Sequence, residues 1–266
     1  MNRDSPFFFI LFPLSFILSH MIRTANPALN DKSFRSIAQA GSDTMTIDGT
    51  VNKTGLLVFI AFITATFIWR RFFNSMDPAS IQGWLLLGAF GGFIMALITI
   101  FKKETAYITA PIYAALEGLF IGGISATFEA MYPGIVVQAI ALTFGVLFAL
   151  LMAYKSKLIS VTQNFRLGII AATGGIAVIY LASILLGFFG IQIPLIHESG
   201  TFGILFSLIV VIVAALNLVL DFDFIEHAAE QNLPKYMEWY GAFGLMVTLV
   251  WLYIEILRLL AKLRDR

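Results

Sequence analysis

Glu117 sits near the middle of an apolar run, residues 108–128, in a chain built almost entirely of such runs. A carboxylate at that depth in lipid costs roughly 2.5–3.5 kcal/mol on insertion scales unless it has a partner, a proton or water. A second acidic group, Asp221, Asp223 and Glu226, closes another apolar run. A third acid, Glu255, lies inside the last one, and Glu238 stands near its start. Buried acids on separate helices point to a proton-sensitive site or a cation path. Two carboxyl groups that share one proton titrate as a unit. Protonated, such a pair hydrogen-bonds and locks two helices. Ionised, it repels itself or accepts a cation, and hard carboxylate oxygens suit calcium better than transition metals.

Each acid also has a plainer reading. Glu117 could hydrogen-bond Ser, Thr or Tyr side chains and merely lock two helices. Asp221, Asp223 and Glu226 could be a solvated helix end. Asn217 and Asp221 are four residues apart and share a helix face; Asp223 and Glu226 share another. Arg258 stands three residues after Glu255, so the two could neutralise each other on one helix face. Glu129, beside Tyr132-Pro133, reads as an interfacial loop acid.

The elements that must position these acids are membrane spans. The chain has 266 residues, 59% of them hydrophobic and 12% charged, with a mean hydropathy of +0.88. A soluble domain carries about 25% charged residues, so lipid must be part of this chain's solvent. A net charge of +1 suggests no nucleic acid or strongly charged partner. There are no cysteines, which excludes disulfides and thiolate metal sites. His20, His197 and His227 fall in different segments without ligand spacing. No Ser–His or Cys nucleophile arrangement and no zinc motif is present, so the expectation is not an enzyme, with no cofactor.

Residues 1–20 read as an apolar leader, or as an extension upstream of a start at Met21. Residues 21–54 read as a polar amino-terminal tail, in which the Asp48-Gly49 pair suggests a small hairpin or a disordered lead-in. Residues 55–266 form the bundle, with span cores at 55–73, 83–101, 108–129, 134–154, 167–190, 201–220 and 239–261. Each is long enough to cross a hydrocarbon layer of about 30 Å as a helix. The expected fold is therefore an all-α integral membrane protein of about seven transmembrane helices in one bundle. Trp69, Trp84, Trp239 and Tyr107 lie at segment ends, where interfacial aromatics belong. Gly88 and Gly92, and Gly118 and Gly122, have the spacing that lets helices approach closely in lipid. Gly174 and Gly175 read the same way, and Gly118 could also leave room for an ion beside Glu117. Basic residues favour the amino-terminal face, which places the amino terminus in the cytoplasm.

Three stretches carry a resemblance: ALEGLFIGG at Ala115 to Gly123, LDFDFIEH at Leu220 to His227, and LYIEILRLL at Leu252 to Leu260. With them the chain resembles the Bax-inhibitor/YccA family of seven-span membrane proteins. MIRTANPAL from Met21 and the last span look like the bacterial YccA-type branch. The resemblance implies a central last helix and a bacterial inner (cytoplasmic) membrane. It implies a pH-sensitive calcium leak channel or transporter governed by an acidic pair between the sixth and seventh helices. Carried over by motif, the pH-sensing and cation-binding residues are Asp221 and Glu255, a possible calcium site; Glu117 joins them from its own place in the apolar run. Asp223, Glu226 and Glu238 are secondary candidates. The alternative role attached to the family is a non-transporting regulator of a membrane protease or of a stress response.

Two departures bear on that pair. The last-helix acid is Glu where the family has Asp, and the interval from Asp221 to Glu255 is longer than the family pattern. With a turn near Asn232–Pro234, the two acids differ in depth by roughly 15 Å at 1.5 Å per residue. They meet only if the sixth helix breaks after Asp221 or if 222–237 forms an interfacial segment; otherwise Glu238 is the substitute partner.

Overall fold

A computed structural model describes residues 44–189 and 200–265. The leader and most of the polar tail lie outside the described residues, as does most of the turn between the fifth and sixth spans.

The described chain is seven helices. They are α1 (Ile47–Ser75), α2 (Ala79–Phe101), α3 (Ala106–Met131), α4 (Ile135–Lys155), α5 (Gln163–Phe188), α6 (Thr201–Glu230) and α7 (Met237–Arg264). All seven are long and apolar enough to cross a bilayer. The all-α multi-pass expectation holds. In lipid the backbone must satisfy its own hydrogen bonds, and uninterrupted helices do so.

The turns follow local chemistry. Met76 adopts φ 51° to close α1, and Asp77 accepts from the Ala79 amide at the start of α2. Gly134 adopts φ 82° before α4, a left-handed conformation that glycine reaches without steric cost. Glu129 accepts from the Gly134 and Val136 amides at 2.6 and 3.1 Å, so this loop acid caps α4.

The last helix is the centre of the bundle. It packs on α6, α1, α4 and α3, and from Tyr240 to Leu257 nearly every residue is buried, Trp251 at 1% exposure. The outer helices turn Phe62, Val137 and Val178 to lipid.

Small residues set the α1–α3 and α2–α3 distances. A Cβ at Gly88 would stand 2.7 Å from the Leu116 carbonyl oxygen, and one at Gly122 would stand 2.6 Å from the Ala65 Cα. Backbones this close leave no room for a side chain. Gly118 belongs to the same contact. Its missing side chain is replaced by Ala61 and Thr64 of α1, so Gly118 itself opens no space for an ion. Gly174 and Gly175 differ again: a Cβ at either would meet nothing within 4 Å, so they mediate no close approach among the described residues.

One boundary is corrected. The stretch around Asp48-Gly49 is the first turn of α1, not a hairpin or a lead-in. Thr46 caps it by accepting from the Gly49 amide at 3.0 Å. The sixth helix extends past its 201–220 core to the turn expected near Asn232–Pro234. It runs unbroken to Glu230, because Phe222, Ile225 and Ala228 continue its buried face.

Candidate functional site

An unbroken α6 fixes where its acids go. Asp221 is 2% exposed, and its Oδ2 accepts from the Thr248 hydroxyl of α7 at 2.6 Å. Glu255 lies seven residues further along α7, about 10 Å at 1.5 Å per residue. Neither the break after Asp221 nor the interfacial segment needed to join the two acids forms. The residue facing Asp221 on the last helix is a threonine, so the expected carboxylate pair is replaced by a carboxylate and a hydroxyl.

Glu255 has its own closed set of partners. It is 1% exposed. Arg258 Nη1 donates to its two oxygens at 3.0 and 2.9 Å. The Tyr180 hydroxyl of α5 stands 3.1 and 3.2 Å from the same oxygens, and Trp251 Nε1 donates at 3.2 Å. Arg258 also donates to the Tyr180 hydroxyl at 2.8 Å. The i,i+3 neutralisation within α7 is therefore realised, and Tyr180 ties it to α5. A buried ion pair needs such additional hydrogen bonds to offset its desolvation.

The remaining acids of α6 divide between two neighbours. Asp223 Oδ2 accepts from Arg166 Nη2 of α5 at 2.6 Å, and His227 Nδ1 stands 3.5 Å from Oδ1. Glu226 takes the Tyr154 hydroxyl of α4. Asp221 and Asp223 are buried, so this is not a solvated helix end.

Glu238 is unavailable to Asp221. It caps α1 from the start of α7, accepting from the Thr46 amide at 2.9 Å and the Thr46 hydroxyl at 2.8 Å. Lys53 pairs with it, and Lys235 Nζ stands 3.3 Å away. Gly49 leaves room for this carboxylate: a Cβ would lie 2.2 Å from Glu238 Oε1 and displace it. An anion at a helix amino terminus is favourable because the first-turn amides point at it.

Glu117 stands apart, 4% exposed on α3, facing Gly92 of α2, where a Cβ would be 3.2 Å from Oε2. Among the described residues no three Asp, Glu, His or Cys side chains converge as a metal cage. The expected pairing of Asp221 with Glu255 is corrected by the depth difference, since Asp221 meets Thr248, seven residues before Glu255.

What the sequence reading missed is a stripe on α5. Arg166, Thr173 and Tyr180 recur every seven residues, close to two helical turns, and so share a face. Each meets a polar partner: Asp223 for Arg166, Asn217 for Thr173 at 2.9 Å, and the Glu255–Arg258 pair for Tyr180. Ile169 and Ile176 fill the intervals and are buried. The helix packs chiefly on α6 and reaches α7 through Tyr180. Seven-residue polar spacing on an apolar helix was the available signal.

Residues 26–265 match the family described as Bax inhibitor 1 like. The chain belongs to that family. No curated protein and no solved structure matches it significantly. In this Bax inhibitor 1 like bundle, a row of polar side chains thus crosses the interior. It runs from the half-exposed Arg166 past Asp221 and Asn217 to Glu255. Beyond these, Lys262 is 6% exposed and donates to the Gly203 carbonyl at 3.0 Å.

Proposed function

We propose that this protein is a proton-sensitive cation leak pathway of the YccA type, with calcium as the cation, in a bacterial inner membrane, and that it transports rather than catalyses. The observation that carries this reading is the polar stripe of α5 and its partners. A packing helix in lipid needs no polar residue at seven-residue intervals, and the buried ionisable pair that Tyr180 meets, Glu255 with Arg258, is of the kind that marks function inside a membrane. In this reading α5 is the movable wall. Asp221 and Asp223 supply the carboxylates of one half of the path. Arg258 plugs the other half, because a guanidinium held by Glu255 repels an approaching cation. Protonation of Asp223 releases Arg166, and protonation of Glu255 releases Arg258; either loosens α5.

Calcium uptake into proteoliposomes across pH 5–8 tests this, with wild type beside Asp223→Asn and Glu255→Gln. The expected result is a pH-dependent flux in wild type, with a higher flux at neutral pH and less pH dependence in both variants. No flux above empty liposomes at any pH would move the assignment to a non-transporting regulator of a membrane protease.

A further inference from the structure

Glu117 is not part of the α5 seam, and the leak reading does not use it. Its carboxyl group lies eleven positions into α3, about 16 Å from the helix start at 1.5 Å per residue, so it is near mid-membrane. It is 4% exposed. Its Oε1 has no hydrogen-bond partner among the described residues, and no Lys, Arg or His forms an ion pair with it among them. The polar group beside it is the buried Tyr113 hydroxyl, one turn earlier on α3. From α2 it is met by Gly92, which has no side chain to offer. From α1, Thr64 and Ala61 pack against the neighbouring Gly118.

A lone carboxylate in this setting carries a charge that nothing in the protein balances, at a cost of several kcal/mol. The group is neutralised by holding a proton. The site is small, since only a glycine separates the carboxyl group from α2, and it offers one acid and one hydroxyl. That donor set is too poor for calcium, which takes six to eight oxygens. We propose that Glu117, beside Tyr113 and opposite Gly92, forms an exchangeable proton site between α2 and α3.

The test uses the full-length purified protein, with infrared difference spectra of wild type against Glu117→Gln. Alongside, a hydrophobic carbodiimide reports the un-ionised form. It takes up the carboxyl proton on nitrogen, the carboxylate oxygen bonds its central carbon, and an O-to-N acyl shift leaves an N-acylurea. For a proton site, the un-ionised carboxyl stretch assigned to Glu117 disappears as pH rises and is indifferent to sodium, and so does the adduct. Loss of both on adding sodium at fixed pH would overturn the proton assignment in favour of a metal cation. Gly92→Ala crowds Oε2 and is expected to shift the midpoint of either titration severalfold, which keeps the test open should Glu117→Gln fold poorly. A Glu117 carboxyl signal unchanged by pH and by sodium in wild type and Gly92→Ala alike would overturn the site and leave Glu117 a fixed packing group.

Discussion

The hydroxyl of Thr248 donates to Oδ2 of Asp221 at 2.6 Å, at the point where the sixth and seventh helices bring their polar faces together. A carboxylate facing a hydroxyl behaves differently from a carboxylate facing its own kind. One proton cannot be shared between two equivalent acids here. Thr248→Asp would create that arrangement, and two carboxyl groups so close cannot both ionise freely. The variant is expected to gain stability towards acid pH relative to wild type, read as thermal unfolding in detergent across pH 4–8. Thr248→Val removes this donor from the buried carboxylate, a loss of about 1–3 kcal/mol. Equal melting of Thr248→Val and wild type would show that this hydrogen bond contributes nothing.

The cap on α1 predicts an intolerant glycine. With a Cβ 2.2 Å from Glu238 Oε1, Gly49→Ala must push the carboxylate away from Thr46 and Lys53. The expected cost is about 1–3 kcal/mol, as for other overpacked sites. Hydrogen exchange should rise at the first turn of α1 while α4 is unaffected. Protection at that turn identical to wild type would refute the cap.

Arg166 and Asp223 should couple. The Arg166 side chain is 47% exposed, so solvent screens the pair and its worth is about 1 kcal/mol or less. A double-mutant cycle of Arg166→Gln and Asp223→Asn is expected to return a non-zero coupling of that size. The flux assay should show the same increase in both single variants and little more in the double. Additive effects would mean that the two residues act separately.

The glycines separate into two classes by experiment. Gly122→Ala places a methyl group 2.6 Å from Ala65 Cα and is expected to destabilise the α1–α3 contact by about 1–3 kcal/mol. Gly175→Ala meets nothing within 4 Å and should be neutral, or stabilising by up to about 1 kcal/mol through helix propensity. Comparable losses in both variants would contradict the packing described.

The seven spans were legible because each is a long apolar run, and lipid leaves the backbone one economical choice. The Glu255–Arg258 pair was legible because it is local, three residues apart on one helix. The partner of Asp221 was not. Reading an acid for an acid selected Glu255, whereas depth along an unbroken helix selects Thr248, a residue whose type gives no warning in an apolar run. Gly49 misled for a related reason. Beside Asp48 it looks like turn chemistry, but its lack of a side chain serves a carboxylate that arrives from the far end of the chain.

That last contact has a consequence for biogenesis. Thr46 and Glu238 are separated by 192 positions, so the first helix is inserted long before its capping anion has been translated. Until the seventh helix enters the bundle, Lys53 and the leading amides of α1 lack the group that completes them. The lock between the opening and closing helices forms last and reports that the whole polypeptide has arrived. A nascent chain stalled before residue 238 would expose an incomplete α1 terminus to the membrane's quality-control proteases.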